Sequence, residues 1–106
     1  MTGERWQKLS LIEQLANTGS EVFRALSEKN KGDGENLKNA ARRALELIDL
    51  TLGDRRWKSK LLELGRLREA FCDFFFGQNE YNIAPDFLKN YFLPFAVLAR
   101  RQAIGK

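Results

Sequence analysis

Apolar residues in this chain recur at every third or fourth position and nowhere alternate, a regularity that leaves the helix as the one element the sequence can build throughout. Leu9, Ile12, Ala16, Gly19, Phe23 and Leu26 keep that spacing, and Leu11, Leu15 and Val22 widen the stripe. Its two small members, Ala16 and Gly19, let a neighbouring backbone come close, although the glycine costs roughly 1 kcal/mol in helix propensity. A second stripe holds Leu37, Ala41, Ala44, Ile48 and Thr51, flanked by Leu45 and Leu52. A third holds Trp57, Leu61, Leu64, Leu67, Phe71 and Phe74, and a fourth holds Leu88, Tyr91, Phe92, Phe95, Leu98 and Ala99.

The breaks between these stripes have turn or capping chemistry. "NKGDGEN" separates the first two, and Gly53 suits a helix C-terminus with Asp54 capping the next helix. Gly77 closes the third segment, and Pro85 with Asp86 suits the first turn of the fourth, where a missing donor is harmless and a carboxylate favours the dipole. Pro94 is expected to kink that helix or thin its bonding near Asn90 without ending it before about Arg101. A chain of 106 residues supplies a single core. The expectation is one all-α domain, residues 1–106, folded as an antiparallel four-helix bundle with short loops and helices at about 5–30, 35–52, 55–76 and 85–102.

The aromatic content exceeds what one bundle face requires. In "FCDFFFGQNEYN", consecutive residues of a helix lie 100° apart, so Phe74, Phe75 and Phe76 span about 200° of circumference. Phe71 and Phe74 belong to the stripe, Phe75 continues its flank, and Phe76 points elsewhere. The fourth segment spreads Phe87, Leu88, Tyr91, Phe92, Leu93, Phe95, Val97 and Leu98 around almost the whole helix. Fully burying such side chains is worth roughly 1.5–3 kcal/mol each, so the surplus predicts a subunit or partner interface built on Phe75, Phe76, Phe87, Tyr91 and Phe95. The alternative is a broad core within a monomer.

Charge is divided unevenly. Residues 1–54 hold eight Lys/Arg and nine Asp/Glu, whereas residues 55–106 hold ten and five. The densest part is "RRWKSK", where Arg55, Arg56, Lys58 and Lys60 surround Trp57 with no acid among them. Cations neutralise phosphates and an exposed indole stacks on an unpaired base, so this combination suits RNA or single-stranded DNA. Arg100, Arg101 and Lys106 form a second basic group, and Arg42 and Arg43 could add a third. Two other readings fit the same residues: solvated cations around a core tryptophan, or a surface for an acidic protein. Arg68 is expected to pair with a carboxylate such as Asp49 or Asp73 or to reach out along its stem, and "QNEYN" to cap helix ends, with recognition as the alternative.

Catalysis is poorly provided for. Histidine is absent, which removes the commonest general base and transition-metal ligand, and Cys72 is the single cysteine, so no intramolecular disulfide or zinc knuckle can form. Glu46 with Asp49, and Glu69 with Asp73, have the spacing to share helix faces, a pattern that would serve an Mg²⁺-dependent helical nucleotide hydrolase if the two pairs converged. They are interleaved with Arg66 and Arg68, as salt-bridge partners usually are. No catalytic residue, metal ligand or cofactor is expected. No apolar run is long enough for a bilayer, and "MTGERWQKLS" carries charges where a signal peptide needs apolar residues, so a cytoplasmic protein without a membrane partner is expected.

With its four stripes and the basic groups "RRWKSK" and "ARRQAIGK", the chain resembles in layout the small helical-bundle proteins associated with ribosomal-RNA intervening sequences and the accessory proteins of diversity-generating retroelements. The likeness is one of segmentation over the whole chain and carries over no functional residue. It implies a ring-forming homo-oligomer, commonly a pentamer, that presents a basic surface to RNA and a reverse transcriptase. The functional expectation is a non-enzymatic oligomer that binds RNA or single-stranded nucleic acid, or an accessory subunit of a nucleoprotein complex. The alternative is a protein-interaction module using Phe75, Phe76 and the fourth helix.

Overall fold

A computed structural model describes residues 3–32 and 34–104. Among them the chain is all-helical, with no strand: α1 (Gly3–Trp6), α2 (Leu11–Lys31), α3 (Gly34–Leu52), a 3₁₀ helix (Arg55–Lys60), α4 (Leu61–Phe75) and α5 (Pro85–Ile104). No helix among these residues is long and apolar enough to cross a membrane.

The first expected helix is divided in two. Ser10 caps α2 with a reciprocal capping box, its hydroxyl accepting from the Glu13 N–H at 3.2 Å while its own N–H donates to Glu13 Oε1 at 3.0 Å. Those bonds fix Ser10 in extended geometry, so Gln7–Ser10 cannot continue α1 into α2. Gly32 ends α2 in the left-handed region, at φ 78°, with its N–H returned to the last carbonyls. The third expected helix also begins differently. Asp54 accepts the Arg56 N–H at 3.1 Å and opens a 3₁₀ helix, and Trp57 leaves helical geometry (φ −105°, ψ 30°) before α4 begins at Leu61. Pro94 lies within α5, which runs past it to Ile104.

α2 packs along both α3 and α5, and α4 packs along α3. Two partners demand a broad apolar stripe, and the buried centre of α2 is accordingly Leu15, Thr18, Val22, Ala25 and Leu26, with Ile12, Ala16 and Phe23 half-buried beside it. α3 contributes small residues, Ala40, Ala41 and Ala44, with Ile48, while α4 and α5 fill the remaining space with Leu64, Leu67, Phe71, Phe74, Leu88 and Phe92. Small side chains on α3 permit close helix approach, and the aromatic rings supply volume where the helices diverge.

A close approach lies between α2 and α5 at Gly19. A Cβ on Gly19 would come within 2.8 Å of Phe92 Cβ, an atom fixed to the α5 backbone. Phe92 is fully buried, and Phe95, one turn on, shares a small cavity with Leu11 and Leu15, so α5 runs back along α2 toward its start. The α4–α5 loop is held by Asp73, whose carboxylate accepts the Glu80 N–H at 2.8 Å and the Tyr81 N–H at 3.0 Å, and by Asn79, which bonds both backbone groups of Ile83.

Gly19→Ala should destabilise the protein by roughly 1–2 kcal/mol, because overpacking against Phe92 outweighs the gain in helix propensity. Gly65→Ala, where a Cβ meets nothing within 4 Å, should be neutral or stabilising by up to about 1 kcal/mol. Urea denaturation of the two variants checks both; a stabilised Gly19→Ala protein would remove the close approach.

Candidate nucleic-acid interface

The site is built on a buried polar network that ties the chain's first turns to the 3₁₀ helix. Gln14 is fully buried on α2, its Nε2 donating to the Trp6 carbonyl at 2.8 Å and to Asp54 Oδ2 at 3.0 Å, while its Oε1 accepts the Trp57 indole N–H at 2.8 Å. Trp6, also fully buried, donates its indole N–H to Thr51 Oγ1 at 3.0 Å. Every polar atom of the Gln14 side chain therefore has a partner, as a buried amide requires.

Arg56 closes the network at the surface. Its Nε lies 3.0 Å from Asp54 Oδ1 and its Nη2 lies 2.6 Å from Oδ2 and 2.7 Å from the Leu9 carbonyl oxygen. The guanidinium also lies over the Trp57 ring, 4.5 Å from its centre. Asp54 is buried, yet its carboxyl is held at about 2: the Arg56 guanidinium bond lowers it most, and the Gln14 amide and Arg56 backbone add to this against the cost of burial.

Sequence-predicted residues consequently separate into two sets. Arg56 and Trp57 are engaged in the fold, and the indole expected to stack on a base is half-buried with Arg56 across one face. Arg55, Lys58 and Lys60 project into solvent from the same 3₁₀ helix. Arg100 and Arg101 are exposed on α5, and because Phe95 already lies beside Leu11, Leu15 and Lys60, the helical rise carries them about 7–9 Å further toward this end. The two basic groups, 40 residues apart in sequence, thus reach one end of the molecule. Lys106 lies outside the described residues.

The predicted interface residues are also divided. Phe75 is half-buried, its ring 4.8 Å from Phe71 and 4.9 Å from Phe74. Tyr91 and Phe95 are half-buried against the core, and the Tyr91 O–H donates to Glu63 Oε1 at 3.3 Å. Burial, with the neighbouring Glu63 charge, pushes the Tyr91 phenol up to about 12. Phe76 and Phe87 remain 50% exposed, joined at the surface by Leu62, Leu93, Val97 and Leu98.

The four carboxylates of the hydrolase reading do not converge. Asp49 is paired with Arg68 at 2.6 Å, Asp73 holds loop amides, and Glu69 is exposed. Among the described residues no group of three or more His, Cys, Asp or Glu side chains is placed to hold a metal ion. Burial raises the Cys72 thiol, which works against a nucleophilic thiolate.

Gln14 belongs to no motif that marks it as central, yet it precedes Thr18 and Val22 by one and two turns on the buried stripe, a position where a polar residue signals an internal bond. The "SLIE" capping box is a second signal. Comparison with protein-family models, with curated proteins and with solved structures finds no match to this chain.

Acid stability offers a check on the network. With its folded value near 2 and its ordinary value at 3.8, Asp54 leaves the unfolded chain holding more protons between those limits, so stability rises with pH across that window. Its contribution should be present above about pH 4 and lost as pH falls toward 2. Urea midpoints from pH 2 to 7 should show this slope in the native protein. Asp54→Asn should flatten it and be less stable at neutral pH.

Proposed function

We propose that this chain is a non-enzymatic antiparallel four-helix bundle that binds single-stranded RNA or DNA through its basic end, as an accessory to a nucleoprotein complex. The observation that carries the reading is that Lys60 lies beside Phe95, about a turn and a half of α5 before Arg100 and Arg101, with Arg55, Lys58, Lys60, Arg100 and Arg101 all exposed. Arg56 does not compete for phosphate, because Asp54 already neutralises it. Its role is to hold the 3₁₀ helix so that its neighbours face outward.

The packing of α2 against α3 and α5, of α4 against α3, and the short connections support the bundle topology. Copies of the chain associate, on this reading, through the outward side of α5, where Leu93 and Val97 are exposed one turn apart. Phe75, Tyr91 and Phe95 are turned toward their own core and contribute less to association than the sequence implied.

Binding of a labelled single-stranded oligonucleotide should weaken steeply with salt. Five phosphate contacts at about 0.7 each predict a slope of roughly −3.5 in log K against log salt, and replacing Arg55, Lys58 and Lys60 together by alanine should reduce it to about −1.4. A salt-independent affinity, or an unchanged slope in the triple variant, would contradict the assignment.

A further inference from the structure

The Trp57 indole is taken up by its bond to Gln14 and by the Arg56 guanidinium across one face, so the cations of the 3₁₀ helix have no open stacking ring among themselves. An open ring lies across the adjoining groove. Ser59, between Lys58 and Lys60 in the chain, lines a cavity of about 410 Å³ whose other walls are Leu62 on α4 and Phe87 and Tyr91 on α5, over Leu67. Tyr91 is half-buried with its hydroxyl donated to Glu63, whereas Phe87 is 50% exposed. Of the two rings, Phe87 is the one open to a ligand.

The lining includes one acid, Glu63, and one base, Arg66, so its charge favours neither a cation nor an anion. It suits a neutral planar group with apolar faces and both donors and acceptors along its edge, which is the chemistry of a nucleobase. Arg66, exposed on α4, can donate to a base carbonyl or ring nitrogen, while Glu63 and Ser59 can accept from an amino group. Position points the same way. Because Ser59 lies between two cations that would hold phosphates, a strand on Lys58 and Lys60 passes beside this groove. We propose that the α4–α5 groove takes an unpaired base of the bound strand, stacked on Phe87, with Ser59, Glu63 and Arg66 at its polar edge. The proposal rests on the nucleic-acid reading above and adds to it a dependence on unpaired bases that phosphate contacts alone do not give.

Fluorescence anisotropy with three labelled oligonucleotides of equal length tests it: a mixed-sequence single strand, the same strand made abasic throughout, and its duplex. Phe87→Leu keeps an apolar side chain at an exposed position and removes the aromatic face. It should weaken the ordinary single strand by about fivefold or more, leave the abasic strand and the duplex unaffected, and leave the salt slope unchanged because no phosphate contact is lost. Phe87→Trp should bind at least as tightly as the native protein. The two proposals fail differently. Salt-independent binding by the native protein removes the nucleic-acid reading and this inference with it, whereas salt-dependent binding that Phe87→Leu does not weaken overturns this inference alone. Equal affinity of the native protein for the ordinary and abasic strands also overturns it. So does dissociation of an oligomer by Phe87→Leu in light scattering, which would make the groove a contact between copies.

Discussion

The Gln14 carboxamide meets α1, the loop after α3 and the 3₁₀ helix at once, through the Trp6 carbonyl, Asp54 and the Trp57 indole. Buried polar groups are costly unless satisfied, and breaking one bond of such a network leaves its partner unpaired in a low-dielectric interior. The arrangement therefore resists partial rearrangement. It sets the rotation of the 3₁₀ helix, so that the Trp57 indole turns inward and Arg56 is tied to Asp54 at the surface, while Arg55, Lys58 and Lys60 project freely into solvent. The proposed binding surface is in this sense a consequence of an internal amide.

Helix packing supplies the second half of the architecture. α2 lies against α3 and α5, with alanines on the first side and Gly19 against Phe92 on the second, and both choices shorten the distance between backbones. α4 lies against α3, and Glu63 on α4 accepts the Tyr91 hydroxyl of α5. Leu62 on α4 and Phe87 on α5 stay exposed beside the groove that they line. An α5 apolar on several sides is then needed both for the core, through Leu88 and Phe92, and for surfaces beyond it.

Much of this was legible in the sequence because helical periodicity reports burial directly. Ala41, Ala44, Ile48, Leu64, Leu67, Phe71 and Phe74 fall on buried stripes by spacing alone, and all are buried. The small pair Ala16 and Gly19 announced a close neighbour, found at Phe92. Arg68 pairs with Asp49, one of the two partners its position allowed. Spacing was less informative where polar bonds override it. The Ser10–Glu13 box divides the first helix, and the bonds of Asp54 and Trp57 turn the start of the third into a 3₁₀ helix. Periodicity also could not reveal which face of Trp57 an adjacent Arg56 would cover, since that depends on a buried carboxylate whose partner lies 40 residues earlier. The direction in which α5 carries Arg100 and Arg101, onward from the Phe95 that lies beside Lys60, likewise depends on tertiary packing rather than on local pattern.

The central claim is that Gln14 and Trp57 act as one energetic unit that positions the basic 3₁₀ helix. A double-mutant cycle in urea with Gln14→Leu, Trp57→Phe and the combined variant measures it directly. The expected coupling energy is about 1 kcal/mol or more, within the range for residues that share a buried hydrogen bond. Additive losses, with no coupling beyond experimental error, would contradict it.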